Sequence, residues 1–190
     1  ERHTFYDGEA HRGLGLGQLG EFGEVTREET WVDAERFVLV ESKARDRHGN
    51  PIEIRDARGG LTVVEMDSES HSFVQEERRQ QSDGGFLVFH AEHDRGLGVM
   101  RSLRDPNDQL TQIEYDALGR VISLVDPGDS VAQPTRHFTY TFGAPLSTVR
   151  AEQRTTSGTD EVLVTIEQFD GLGRKRGAFQ RDAGGQWAAS

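Results

Sequence analysis

Asp-x-x-Gly tetrads recur along this chain at steps of one strand plus one turn, and that spacing limits the possible folds more than any other feature. The clearest copy lies in Gln112-Ile113-Glu114-Tyr115-Asp116-Ala117-Leu118-Gly119-Arg120-Val121-Ile122-Ser123-Leu124-Val125-Asp126-Pro127. Ile113 and Tyr115 alternate with Glu114 and Asp116, which predicts a strand, because side chains on a strand repeat with a period of two. Asp116 is placed to hydrogen-bond the backbone of its own turn, and Gly119 to close that turn at a position that often needs positive φ. Val121 to Val125 then return as the second strand of a hairpin. A second copy, Ile166-Glu167-Gln168-Phe169-Asp170-Gly171-Leu172-Gly173-Arg174, puts Phe169 where Tyr115 stands.

Looser copies fill much of the remaining chain. Asp46-Arg47-His48-Gly49 and Asp56-Ala57-Arg58-Gly59 flank the strand-like Pro51-Ile52-Glu53-Ile54-Arg55, and the acidic starters at 46, 56 and 67 are 10 and 11 residues apart. Asp94, Asp105, Asp116 and Asp126 follow at steps of 11, 11 and 10. Such a step fits a strand of about 5 to 6 residues and a hairpin loop of about 2 to 5. A parallel crossover needs about a dozen residues or more. The repeat therefore predicts an all-β antiparallel meander, a curved single-sheet strip of hairpins with a thin core. Asp94-Arg95-Gly96-Leu97-Gly98 is one residue longer than the pattern, and residues 68–85 show no clean turn between strands expected at 73–78 and 86–93. Further strands are expected at 3–7, 24–32, 37–40, 137–142, 146–156 and 161–170. Asp33-Ala34-Glu35-Arg36 allows a helix cap or a turn, and Gly184-Gly185-Gln186-Trp187 closes the chain in a hairpin-like pattern.

Composition narrows the function classes. The formal net charge is −11 over 190 residues, which argues against a phosphate backbone or an anionic membrane surface as partner. Lys occurs only at 43 and 175; the Arg that supply the other positive charges suit planar pairing with carboxylates and stacking on rings. Leu, Ile, Val and Phe make up about 23% of the chain, close to the roughly 20% at which disorder becomes the default. They fall in short clusters bounded by turn residues, which a disordered tract would not show. The absence of Cys excludes disulfides, thiolate metal sites and cysteine nucleophiles. No apolar run approaches the ~20 residues of a membrane span, and no signal peptide is visible. The start at Glu1 rather than Met suggests an excised or processed segment.

Residues that could carry chemistry have structural readings beside them. The glycines of Gly13-Leu14-Gly15-Leu16-Gly17-Gln18-Leu19-Gly20 would cradle a phosphate only if a helix opened at the third glycine of a βαβ unit. Phe22-Gly23-Glu24-Val25 instead turns into a strand, so a packed loop is expected. Glu28/Glu29 and Glu76/Glu77 alternate to opposite faces of a strand and cannot act as pairs. Glu114 and Asp116 share a face, but Asp116 is already occupied by its turn. His90 and His93, with Glu92 and Asp94 nearby, point to opposite faces, which disfavours a common ion. No nucleophile elbow is present. The expectation is a non-enzyme with no catalytic residue, metal site or cofactor. Arg120 and Arg174 follow their turns and are placed to pair with an acid or lie over a ring such as Tyr115 or Phe169. The structural reading is a strut, the functional one a sugar-binding platform.

Tyr115-Asp116-Ala117-Leu118-Gly119-Arg120 and Phe169-Asp170-Gly171-Leu172-Gly173-Arg174 resemble the Tyr-Asp-x-x-Gly-Arg repeat of the Rhs (YD-repeat) family, often preceded by Asp-Pro-x-Gly. Here that element reads Asp105-Pro106-Asn107-Asp108, and Asp in place of Gly predicts a less tight turn. Tyr6-Asp7-Gly8, Gly13-Leu14, Gly17-Gln18 and Thr26-Arg27-Glu28-Glu29, with Gly143-Ala144-Pro145-Leu146-Ser147 and Trp187 downstream, resemble the B component of bacterial insecticidal toxin complexes and related SpvB-like plasmid-virulence proteins. The resemblance implies a lead-in segment over 1–45 and a repeat strip over 46–190. It implies a secreted or cell-surface setting within a larger bacterial virulence protein whose repeats wind into a shell around a toxic C-terminal cargo. The implied partners are adjacent segments of the same shell, the enclosed toxin and other toxin-complex subunits, with no nucleic acid and no membrane insertion by this segment. The family's self-cleavage belongs to a later core-end motif, which has no match here; Asp126-Pro127-Gly128 is too short to carry it. The alternatives are a glycan-binding adhesion module using Tyr115, Tyr140 and nearby Arg, and an autonomous β-domain enzyme.

Overall fold

The computed structural model describes residues 1–18, 20–33, 36–181 and 185–189. Leu19 of the glycine-rich loop, the cap-or-turn pair Ala34 and Glu35, and Gly184 at the start of the last hairpin pattern lie outside the described residues. Among the described residues, fifteen strands form an all-antiparallel meander in which hydrogen-bonded order is chain order, and no helix occurs. The meander is open, since β1 (Arg2–Tyr6) and β15 (Trp187–Ala189) have one neighbour each.

The chain divides into two compact units, Glu1–Ala91 and Glu92–Ser190. The first holds β1, β2 (Val25–Asp33), β3 (Arg36–Arg45), β4 (Pro51–Asp56), β5 (Leu61–Met66), β6 (Val74–Gln80) and most of β7 (Phe86–Asp94). The second holds β8 (Val99–Arg104), β9 (Leu110–Tyr115), β10 (Val121–Val125), β11 (Arg136–Thr141), β12 (Ser147–Arg154), β13 (Val162–Phe169), β14 (Lys175–Arg181) and β15. The aromatic and β-branched run Phe37-Val38-Leu39-Val40 opens a strand, as its composition predicts, and this strand continues to Arg45. The glycine-dense residues 13–20 form a loop between β1 and β2 with no helix after them, as the Phe22-Gly23-Glu24-Val25 turn led us to expect. Gly13 is packed so closely that an added Cβ would sit 2.8 Å from the Cβ of Phe5.

Five hairpins share one irregularity that the periodic sequence does not announce. In β9–β10, Tyr115 pairs with Val121 but Glu114 pairs with Ser123, leaving Ile122 as an extra residue. The same slip leaves Thr26 extra in β1–β2, Ile52 in β3–β4, Gln75 in β5–β6 and Arg176 in β13–β14. Each is the second residue of the returning strand. Of the hairpins whose turns lie at the other ends of the strands, β4–β5, β6–β7 and β8–β9 keep unbroken register, while β2–β3 slips twice, leaving Val40 and Val32 extra. A bulge of this kind bends its strand and increases local twist.

The core is thin. Val64, Val125, Val164 and Ala178 are the buried apolar side chains among the described residues, and no large side chain is fully enclosed. A sheet packed against a second layer would bury one whole face; here the strands are mostly half-buried along their length.

Two expectations are corrected. Residues 68–85 do contain a clean turn: Gln81 N–H bonds Gly85 C=O at 2.8 Å and Gly84 N–H bonds Gln81 C=O at 3.1 Å, the geometry of the repeat turn without its starting acid. The turn at Asp105 is also no looser than the others, because Asp108 itself takes a φ of 63° and so occupies the position usually given to Gly. Asp tolerates the left-handed region through its short polar side chain.

Gly119 has a φ of 75° and an added Cβ would touch nothing within 4 Å, so any cost of a side chain there is backbone strain alone. Gly119→Ala is expected to destabilise by about 1 kcal/mol. Gly171→Ala, at a position with open space and no positive φ, is expected to be near neutral. Urea titration of the two variants checks the difference.

Candidate functional site

The repeat residues gather at the ends of the hairpins. In the turn 116–120, Asp116 N–H bonds Arg120 C=O at 2.9 Å and Gly119 N–H bonds Asp116 C=O at 3.0 Å. The Asp116 carboxylate then accepts Leu118 N–H at 2.9 Å, Arg120 N–H at 3.0 Å and Arg120 Nε at 2.6 Å. Asp170 accepts the equivalent groups from Leu172 and Arg174 at 2.9, 3.1 and 2.8 Å, with Gly173 at a φ of 74°. Asp46 accepts His48 and Asn50 N–H, Asp56 accepts Arg58 and Gly60 N–H, and Gly49 and Gly59 both lie in the left-handed region. Four turns therefore use one device: a carboxylate collects N–H groups that a tight turn would otherwise leave without a partner.

At Asp46, Asp116 and Asp170, and at Asp105 and Asp67, such bonds lower the carboxylate's titration. The side-chain bond from Arg120 is the largest influence on Asp116 and holds it below the usual carboxylate range. At Asp105 the leading cause is the Gln109 N–H. At Asp46 and Asp170 burial acts upward most strongly but is outweighed by the donors of Asn50 and His48, and of Arg174 and Leu172. Asp67 is lowered furthest, by Ser70 and Phe73 N–H groups first.

The two repeat arginines differ. Arg120 pairs with Asp116, but its guanidinium lies over Tyr140 at 4.4 Å and Phe142 at 4.8 Å, not over Tyr115. Tyr115 sends its hydroxyl to Met100 C=O at 2.8 Å, and Tyr140 sends its own to Val121 C=O at 2.9 Å. Arg174 pairs with Asp170 and otherwise stands exposed. Phe169 sits in register between Ser147 and Lys175.

Other chemistry-bearing residues are brought together less productively. His90 faces Glu76 at 3.3 Å, and no group of three or more His, Cys, Asp or Glu is arranged for a metal among the described residues. His11 contacts Ser42 Oγ at 3.1 Å and Glu53 Oε2 at 3.2 Å, a Ser-His-Glu arrangement that the sequence does not reveal. Ser42 is only 3% exposed, so a substrate carbonyl cannot reach its hydroxyl. The main-chain N–H of His11 also donates to Lys43 C=O at 2.8 Å, so these contacts fasten the β1–β2 connection to the sheet. A cavity of about 580 Å³ beside this loop is lined by Asp7, Phe22, Thr26, Lys43, Arg45 and His48 among others.

Sequence reasoning missed two further carboxylate hubs. Asp7 closes the long β1–β2 connection by accepting the N–H groups of Phe22, Gly23 and Glu24 at 3.1, 3.0 and 2.9 Å. Asp129 joins the β10–β11 connection to the β12–β13 connection by accepting Thr135 Oγ1 at 2.6 Å and Ser157 Oγ at 2.7 Å, which together hold it below the usual range. The Tyr6-Asp7-Gly8 string carried a signal for the first; neither neighbour of Asp129 marked the second.

No protein-family model and no curated protein matches the sequence. Among solved structures the chain is similar to one in the crystal structure of TcdB2-TccC3-Cdc42, at 12% identity and a TM-score of 0.34, over 90% of this chain. It spans 12% of that chain's length.

Because Asp46, Asp67, Asp105, Asp116 and Asp170 titrate lower in the folded chain than the roughly 3.9 of free Asp, the stability they contribute is fully present above that value and is lost as pH falls through their folded values. The urea midpoint is expected to hold level above about pH 5 and to drop below about pH 4. Asp116→Asn should flatten part of that drop, and Asp116→Ala should lower the midpoint at pH 7 more than Leu118→Ala does. Equilibrium unfolding across pH 3 to 7, roughly spanning the carboxylate titration, measures both.

Proposed function

We propose that this chain is a noncatalytic wall segment of an Rhs-type toxin shell, with residues 1–45 leading into a repeat strip over 46–190. The observation that carries the reading is a fifteen-strand antiparallel meander whose buried apolar side chains are so few and small. Such a sheet is material for an enclosure rather than for a self-contained core. Its role is steric: the strip, curved and closed by neighbouring segments of a longer secreted bacterial polypeptide, keeps proteases from a toxic cargo until release. Nucleic acid and membrane lipid have no part in that role.

The noncatalytic part of the proposal draws support from the enclosure of Ser42. The glycan-binding alternative needs Tyr115 and Tyr140 exposed with Arg nearby, and both are half-buried. Both hydroxyls are bonded to main-chain carbonyls and Arg120 is paired with Asp116, so nothing in this arrangement favours it.

Unpaired outer strands recruit other strands. The isolated chain is therefore expected to self-associate in sedimentation velocity at micromolar concentration, and lengthening it with its neighbouring segments should suppress that association. A stable monomer at all concentrations would count against the wall.

A further inference from the structure

Connections in an antiparallel meander alternate between its two ends. In the unit Glu92–Ser190, one rim of the sheet therefore carries residues 95–98, 116–120, 142–146 and 170–174, and the opposite rim carries 105–109, 126–135 and 155–161. Neighbouring turns on a rim stand about 10 Å apart, which is two strand spacings. The first rim exposes a large apolar side chain at every one of its turns: Leu97, Leu118, Phe142 and Leu172, the last three being 75%, 69% and 78% exposed. Arg120 ties two of these turns together, since its guanidinium lies over the Phe142 ring at 4.8 Å.

The turns do not need these side chains. Leu118 and Leu172 serve their turns through the main-chain N–H given to Asp116 and Asp170. His48, Arg58 and Asn107 give the same bond in their own turns, so the position accepts polar residues. An exposed row of large apolar groups that the fold does not use marks an interaction surface. Charge divides between the rims as well. The connections of the first rim hold three Arg and two Asp, and Lys175 and Arg176 follow the last of them. Arg174, Lys175 and Arg176 stay exposed although they reach Asp170 and Glu167. The connections of the opposite rim hold five Asp and one Glu, with no Lys or Arg. Asp108 is paired with Arg104 and Asp129 with Arg154, which leaves Asp105, Asp126, Asp160 and Glu161 without a cationic partner among the described residues.

We infer that these two rims dock onto each other between copies of this chain, the apolar rim of one copy on the acidic rim of a second. The rims match in spacing because the same strands build both. When the strands of two copies run end to end, the connections of one rim fall between the turns of the other, one strand over. In that alignment Val131, an exposed apolar side chain on the acidic rim, enters between Leu118 and Phe142. Asp160 and Glu161 enter between Phe142 and the basic run Arg174-Lys175-Arg176. Apolar groups thus meet apolar groups, and opposite charges meet beside them. Because the joined rims differ, the contact is head-to-tail and leaves one rim of each copy free. It involves the turns rather than the outer strands, and it does not depend on what the strip encloses.

Charge-swapped variants of the whole chain test this contact, one carrying Lys175→Glu and Arg176→Glu and the other Asp160→Lys and Glu161→Lys, with circular dichroism confirming the sheet in each. In sedimentation velocity each variant alone is expected to associate at least about tenfold more weakly than the parent chain. An equimolar mixture of the two should recover most of that loss, since each presents the rim charge that the other lacks. Leu118→Ser combined with Leu172→Ser should weaken association several-fold while every charge stays in place. A mixture no more associated than its components would overturn the inference, as would a leucine pair whose replacement changes nothing. Association that neither swap alters would also overturn it while leaving the outer-strand pairing expected of the wall intact. Association that the swaps govern and that neighbouring segments fail to suppress would support the rim contact and count against the wall.

Discussion

A carboxylate accepting the N–H groups of its own turn is the interaction on which this fold rests. A meander of short strands has little apolar surface to bury, so its connections must be defined locally rather than by packing. Asp46, Asp56, Asp105, Asp116 and Asp170 do this with the same two acceptor bonds, to the residues two and four positions on. Asp7 and Asp129 apply the same chemistry to longer connections, holding donors that are far away in sequence. The strongly acidic composition, which first reads as a statement about partners, is thus partly the cost of building turns.

The hubs also explain how side chains reach one another across strands. With Asp116 drawing in both the N–H and the Nε of Arg120, the guanidinium is steered sideways, and the rings it meets belong to β11 and its following turn. Tyr140 then closes the arrangement by bonding the carbonyl of Val121. Arg174 repeats the turn half of this geometry without the rings, which shows that the acid pairing belongs to the repeat and the stacking to one locality.

The strands and most turns were legible because both signals are local: alternation within five or six residues, and an acid and a glycine at fixed offset. Gln81–Gly85 escaped because its backbone bonds form without the acid, and the Asp105 turn was misjudged because Asp can hold the glycine position. The functional clusters were harder to see. Asp129 carries no sequence mark, since its partners are set by the paths of two irregular loops. The Ser42-His11-Glu53 trio depends on the path of a loop rather than on any spacing. Arg120 was expected to meet a ring, and the ring itself was misidentified, because cross-strand neighbours depend on register.

That register depends on the extra residues at Thr26, Ile52, Gln75, Ile122 and Arg176. Each bulge reverses parity between the turn and the rest of its strand, so that Val121 lies beside Tyr115 while Ser123, two residues on, lies beside Glu114. Removing one residue at such a point would exchange the two faces of everything beyond it up to the next turn, whereas removing two would leave the faces as they are. Length changes in this chain are therefore read in odd and even classes: an even change trims a strand, and an odd one turns it inside out.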